Sequence, residues 1–303
     1  MKTILIAGGS GMIGQRLTEL LQDRYYILIL TRNTRVSNHK NVSFLKWNPA
    51  HYEIDETAFQ ADILINLCGE GIADKRWTSN RKKLIIDSRV KPIEFLHKKF
   101  IERRKKLDTI ICASAIGYYG NVPTETLTEK SQKGGGFLSD STSMWEKASR
   151  RLHDCTDRIV ILRIGIVLSR KGGALPKMLM TSGMGMLNYF GNGRQYYSWI
   201  HIDDLANIFD KALLDSQYTG TINAVAPDSV TNRVFIENIE KASERKFFKI
   251  SVPTFVLRLL LGEMADVILN SNKIHPSVLL NINHSFLYST LHEALKNLIN
   301  KKA

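Results

Sequence analysis

The chain has 303 residues, 44% hydrophobic and 23% charged, with 42 Lys and Arg against 29 Asp and Glu, a formal charge of +13. That is the composition of a folded globular protein with material for one large core or two modest ones. It excludes a disordered or fibrous chain, and the absence of any apolar run of about 18 residues argues against a membrane-spanning helix.

The positive charge attracts anions such as phosphorylated cofactors, nucleic acids or anionic lipids. The basic clusters, at 81–83, 103–106 and 150–151, fall on or beside expected helices, with no zinc spacing and no ribonucleoprotein motif. They read as solvated faces, so neither a nucleic acid nor a metal is expected as a partner. The start, MKTILIAGGSG, enters a glycine-rich turn after one short apolar run, too short for a signal sequence. Cys68, Cys112 and Cys155 are odd in number and not closely spaced, as free thiols of a reducing compartment are. A cytoplasmic location is the expectation.

Strands and helices alternate from the first residues. TILIA (3–7) is an apolar run that stops at Gly8. MIGQRLTELLQD (12–23) places Ile13, Leu17, Leu20 and Leu21 on one helical face. YILIL (26–30), VSFLKW (42–47) and DILINL (62–67) read as further strands, then a basic helix over about 79–105, and a strand DTIICAS (108–114). A helix around WEKASRRL and a single strand RIVILRIGIVL (158–168) follow. Near-continuous apolar strands between helices imply a parallel sheet covered on both faces. The short connections then favour a Rossmann-like, doubly wound α/β fold. Past Leu168 the pattern loosens: residues 171–195 hold six glycines. A short strand over YYSWIHI, a helix DLANIFDKALLD (204–215), a strand TINAV (221–225) and a helix from Thr231 come next, and the remainder from Pro253 reads as helical. The organisation expected is a nucleotide-binding domain over 1–248, with an interleaved second lobe at 171–200 and 226–248, and a helical segment 249–303 completing that lobe.

GGSGMIG (8–14) holds Gly8, Gly11 and Gly14 between the first strand and an amphipathic helix. The first glycine allows the turn, the second lets a pyrophosphate approach the backbone, and the third lets helix and strand pack closely. The helix start supplies N–H groups and positive dipole for phosphates. Ser10, Met12 and Ile13 lie in the same turn. The second strand ends Leu30-Thr31-Arg32-Asn33, with no carboxylate for a ribose 2′-hydroxyl and with an Arg suited to a 2′-phosphate. NADP(H) is therefore the expected cofactor, with Arg32 either its ligand or an exposed loop residue. Leu67, Cys68 and Gly69 end the fourth strand and should run past the ribose and diphosphate. Ser114 ends the fifth and should face the nicotinamide.

With GGSGMIG, the segments SAIGYYG (114–120) and GNGRQYYSWIHIDDLA (191–206) resemble the extended, or atypical, short-chain dehydrogenases over nearly the whole chain. NLCGEGI, RWTSNRKKLIIDSRV (76–90) and PTFVLRLLLGEMADVIL are similar to one epimerase-like subfamily with a C-terminal helical domain of unassigned function. Its members carry the labels sugar-nucleotide epimerase and cell-division inhibitor. The resemblance implies an NADP(H)-dependent oxidoreductase or epimerase-like enzyme on a small molecule, as a monomer or homodimer, and hands over no particular reaction.

It also implies a Tyr-x-x-x-Lys pair within FLSDSTSMWEKAS (137–149), where none exists. Aligned on Glu146, the Tyr position holds Leu138, the Lys position Thr142 and the usual Ser/Thr position Ala115. Hydride chemistry at a carbinol needs a proton moved as well, and losing that group costs about 10²–10⁴-fold. Candidate substitutes are Tyr118, as proton donor or as packing, and Ser114, as substrate contact or turn residue. His201 either titrates near neutrality or holds a helix start, which Asp203 should cap. Arg194, Gln195, Tyr196, Tyr197 and Trp199, with Tyr118 and with Trp77, Arg81 and Arg89 at the long helix, are candidate contacts to a phosphorylated or nucleotide-like ligand; the alternative for each is solvated Arg or core aromatic. A non-catalytic NADP(H)-binding sensor is the competing reading.

Overall fold

The computed structural model describes residues 1–33 and 35–300. The apolar run at the start forms β1 (Thr3–Ala7), and the turn after it leads into α1 (Met12–Leu21), which buries Leu17 and Leu21 against the sheet. Next come β2 (Tyr26–Thr31), β3 (Val42–Asn48), β4 (Glu53–Ile54) and β5 (Ile63–Asn66). The 24-residue α2 (Ser79–Glu102) starts where Thr78 accepts the Arg81 N–H. After it lie β6 (Thr109–Ala115), β7 (Val122–Leu127), α3 (Phe137–Arg151) and β8 (Ile159–Ile164). Then follow β9 (Ile166–Leu168), α4 (Ala174–Met178), β10 (Met186–Phe190), β11 (Tyr196–Tyr197) and β12 (Trp199–His201). The chain continues through α5 (Ile202–Leu214), β13 (Gly220–Ala224), β14 (Val230–Thr231), α6 (Asn232–Ser243) and β15 (Phe248–Val252). It closes with α7 (Thr254–Leu261), α8 (Asp266–Leu269), β16 (Asn272–Ile274), α9 (Ser277–Asn281) and α10 (Leu291–Asn300).

One sheet has the order β13-β8-β6-β5-β1-β2-β3-β4. Every neighbouring pair in it is parallel except β3 with β4. This is the doubly wound, Rossmann-like α/β arrangement expected from apolar strands that need cover on both faces. A large core spans the sheet and α1, α2, α3 and α5, and a second core lies under β10, α6 and α10. The C-terminal segment divides between them: Leu279 of α9 joins the first core and Leu291, Leu295 and Leu298 of α10 the second. Between those helices Asp204 of α5 accepts the backbone N–H groups of Leu287 (2.6 Å) and Tyr288 (3.1 Å). Burial lifts the Asp204 carboxyl to about 6. Residues 301–303 of the expected C-terminal domain lie outside the described residues.

Three sequence expectations change. The strand 158–168 is two strands, broken at Gly165, where a Cβ would stand 2.7 Å from the Ser198 carbonyl oxygen. The chain must bend there to let the second lobe approach, and β9 leaves the main sheet to pair with β12. The C-terminal remainder is not wholly helical, because β16 pairs with β7. The stretch 137–149 is helical from its first residue.

Candidate functional site

Gly8 has φ +80°, and a Cβ there would lie 2.8 Å from the Leu67 carbonyl. Gly14 is equally tight, its absent Cβ only 2.5 Å from Gly9 backbone, whereas Gly11 faces open space beyond 3.5 Å. The turn thus packs closely at both ends and stays open in the middle, where Gly11 is the N-cap of α1 without a side-chain cap. The first backbone bond of the helix runs from Gln15 to the Gly11 carbonyl, so the amides before Gln15 project from the helix end. The first turn carries no acidic residue. Arg32 is exposed in the turn after β2, where the Thr31 hydroxyl bonds to both the N–H and the carbonyl of Asn33. Among the described residues Arg32 has no ion pair.

From this turn a cleft of about 610 Å³ runs between the sheet and the second lobe. Gly8, Gly11, Met12, Ile13, Gly14, Leu67, Gly69 and Ser114 line it. Three expected contacts do not: Arg32 stands outside it in the turn after β2, and Ser10 and Cys68 turn away. The Ser10 carbonyl accepts the Gln15 side chain, and the Cys68 thiol is buried beneath the floor. Burial, with Cys112 nearby, pushes Cys68 up to about 12. That argues against a nucleophile.

The opposite wall is α3. Leu138, Ser141, Thr142 and Trp145 face the cleft, and the first and third of these stand one helical turn apart. Thr142 Oγ1 donates to the Leu138 carbonyl at 2.7 Å. Behind this wall lies a fully buried ion pair. Glu146 and Arg163 are each 3% exposed and meet twice, Nε to Oε1 at 2.7 Å and Nη2 to Oε2 at 3.0 Å. Ser114 Oγ donates to the same Oε1 at 2.8 Å. Arg163 Nη1 donates to the Tyr119 hydroxyl (2.9 Å), which donates to Asn223 Oδ1 (2.7 Å). Burial alone would lower the Arg163 pKa, but the bonds to Glu146 and Tyr119 outweigh it and hold the guanidinium charged.

This network decides the position of the expected proton donors. Tyr118 is not among the cleft-lining residues; its ring carries the Arg163 guanidinium at 3.5 Å. Ser114 does face the cleft, with its proton turned inward to Glu146. His201 is buried and caps α5 through Nδ1, which accepts the Asp203 N–H at 3.0 Å. Asp203 is therefore not the cap; it accepts from Arg16 at 2.6 Å.

In the second lobe, Trp199 is 0% exposed with its indole N–H bonded to the Asp228 carbonyl, so it is core and not a ligand contact. Arg194 and Gln195 line a separate cavity of about 470 Å³ with Asn121, Thr254 and Arg258. The Gln195 amide is spent on the carbonyls of Phe190 and Ile268. Tyr196, one of the substrate-side candidates from the sequence, lines the main cleft, and its phenol makes no hydrogen bond among the described residues. Arg163 and Trp145 were passed over, while Arg89 was a substrate-side candidate in the sequence. The first had a signal, an Arg inside the apolar run VILRIG, which must be paired if buried. Among the described residues no cluster of His, Cys, Asp and Glu could hold a metal, and no helix is long and apolar enough to cross a membrane.

Comparison with known proteins agrees with this geometry. The model of the NAD-dependent epimerase/dehydratase family matches residues 4–224, and that of a domain of unknown function, DUF1731, matches 252–298. An epimerase family protein of Staphylococcus saprophyticus is 36% identical over 301 residues, spanning 99% of this chain and 100% of that protein. The crystal structure of human epimerase family protein SDR39U1 with NADPH superposes with a TM-score of 0.88 at 29% identity, over 99% of this chain and 100% of the human one. A UDP-glucuronic acid 4-epimerase from Bacillus cereus shares the fold at 16% identity and a TM-score of 0.80, over 98% of each chain. With the glycine turn, the parallel sheet and the cleft between two lobes in place, the chain belongs to the NAD-dependent epimerase/dehydratase family.

Proposed function

We propose that this protein binds NADP(H) at the glycine-lined end of the cleft and acts as an oxidoreductase or epimerase-like enzyme. Its second ligand is a small anionic molecule, phosphorylated or nucleotide-linked, held between the sheet and the second lobe. One observation carries the reading: an open glycine turn at the start of α1 lies beside a second strand that ends in Arg32 and no carboxylate. The turn fits a diphosphate, since Gly11 leaves room and the helix amides point outward. Arg32 fits a 2′-phosphate, which a carboxylate there would repel. The NADPH found on the human relative supports the same choice. In this reading Gly8, Gly11, Met12, Ile13, Gly14, Arg32, Leu67, Gly69 and Ser114 hold the cofactor, with Ser10 and Cys68 supporting from behind.

A bound nicotinamide would supply or accept a hydride. The protein's own part is orientation and the proton. Leu138 and Thr142 replace the Tyr and Lys of the family's acid–base pair, so the proton moves elsewhere or not at all. Ser114, whose hydroxyl donates its hydrogen bond to Glu146, offers the cleft an oxygen that accepts, and orients a ligand O–H or N–H. Tyr118 belongs to the buried network, which leaves the Tyr196 phenol as the group able to carry a proton. The competing reading, a non-catalytic NADP(H) sensor, is favoured by the apolar Leu138 and the self-bonded Thr142 on the reacting wall. Screening nucleotide sugars and phosphorylated carbonyl compounds for oxidation of protein-bound NADPH separates the two. Turnover that falls about 10²-fold or more in Tyr196→Phe supports the enzyme; tight cofactor binding with no turnover across the panel supports the sensor.

A further inference from the structure

The cleft has a cation without an ion-pair partner. Arg89 projects from α2, where Nη1 donates to the Ile85 carbonyl and Nη2 to the Glu70 carbonyl, both at 2.9 Å. Its guanidinium lies 5.1 Å from the centroid of the Trp145 ring. Gly69 makes room for it, because a Cβ there would stand 3.1 Å from Arg89 Cζ. The charged side chains lining the cleft are Glu70, Arg89 and Asp266. Glu70 pairs with Arg81 and Asp266 with Arg258, each at 3.4 Å. Among the described residues no carboxylate forms an ion pair with Arg89; Glu70 acts on it only through space. Burial lowers its pKa to about 10, so it stays cationic at neutrality.

A second group points the same way. Trp145 is 6% exposed and lines the same wall, and its Nε1–H has no acceptor among the described residues. Arg and Trp side chains are donors only. A buried donor without an acceptor is costly, and a half-buried cation without an ion-pair partner is poorly compensated. Both costs vanish when a ligand brings oxygen lone pairs and negative charge to this corner, and Arg suits a planar or tetrahedral oxyanion. No lysine lines the cleft to share the task.

We infer that Arg89 and Trp145 form an oxyanion-binding corner, which holds a phosphate or carboxylate group of the molecule bound beside α3. The inference rests on the reading above only in placing NADP(H) in the same cleft. The oxyanion has two possible sources, the second ligand or the cofactor's own phosphates.

The test is calorimetric titration of wild type, Arg89→Gln and Trp145→Phe with NADPH, then of the NADPH-loaded proteins with inorganic phosphate and with malonate. The expected result is that one of the small anions binds loaded wild type, about tenfold or more weakly in Arg89→Gln and measurably more weakly in Trp145→Phe. NADPH affinity should stay within about twofold. If instead neither small anion binds and both variants weaken NADPH by about tenfold, the corner holds the cofactor's phosphate and the second ligand is not its source. If both variants keep wild-type affinity for NADPH and for the anions, the corner is not an oxyanion site and the inference is overturned. Should Arg89→Gln fail to fold, Trp145→Phe, which keeps the ring and removes the donor, decides alone. If wild type binds an anion through Arg89 but no NADPH, the cofactor reading falls and this one stands.

Discussion

The two ends of the cleft are built in different ways. The end at α1 is made of backbone: three glycines, a helix terminus and one exposed arginine. The wall at α3 is made of side chains, and their behaviour is set by a buried ion pair between α3 itself and β8. Glu146 of α3 grips Arg163 of β8 and accepts the hydrogen bond of the Ser114 hydroxyl at the end of β6. A backbone site tolerates drift in everything but its glycines. A site wired through a buried pair fails as a unit, because removing either partner leaves a buried charge poorly compensated: Arg163 loses its carboxylate, and Glu146 keeps only the exposed Arg150 at 3.2 Å. The family's fold carries the first end, while the wall residues of the second, Leu138, Ser141, Thr142 and Trp145, are uncharged, with Arg89 at their edge.

The comparison is broken most severely at the buried pair. Arg163→Met or Glu146→Gln should each destabilise the protein by about 3–5 kcal/mol in urea unfolding, and the double variant should lose less than the sum of the two. Additive losses would mean that the pair is not a unit. Next, Gly8→Ala should cost about 1–3 kcal/mol of stability or distort the turn, because the residue has φ +80° and its new methyl would meet the Leu67 carbonyl at 2.8 Å. NADPH binding should fall with it. Gly11→Ala, at the open centre of the turn, should leave stability nearly unchanged and weaken the cofactor alone, which is the sharper probe of that end.

A smaller effect lies outside both ends. His284 accepts or donates a bond to the Tyr218 hydroxyl at 2.7 Å, and burial, helped by Lys211, lowers its pKa to about 4. The unfolded chain therefore takes up the proton first as pH falls. Stability is present above the unfolded value of about 6.5 and is lost as pH drops toward 4, by at most about 3 kcal/mol. The wild-type thermal midpoint should fall more steeply between pH 6.5 and 4 than that of His284→Gln; parallel curves would contradict it. The smallest expected effect is chemical: Cys68 and Cys112, with thiols pushed up to about 12 by burial, should resist alkylation in the native state.

What the sequence disclosed follows the same division. The order of apolar strands, the glycine spacing and Arg32 are local patterns, and each stands in the structure where its neighbours in sequence imply. The vacancy at Leu138 and Thr142 was also local, and the helix does bring those two residues together on the cleft wall. The partners of Ser114 were not legible, because Glu146 and Arg163 lie 32 and 49 positions further along the chain, and only the sheet order brings β6 and β8 side by side. Trp199 was misjudged for a related reason. Aromatic residues after a glycine loop look the same whether they face a ligand or the α6 core, and the Asp228 carbonyl that claims its indole belongs to a distant turn. The break at Gly165 depends on the approach of Ser198, a contact no local pattern announces.

The most direct test of the central claim is calorimetric titration of the purified protein with NADPH and NADH, repeated on Arg32→Asp. The account predicts that NADPH binds at sub-millimolar concentration and at least about tenfold more tightly than NADH, and that the Arg32→Asp change removes this preference by weakening NADPH alone. Equal binding of the two cofactors, or no binding of either to the wild type, would contradict it.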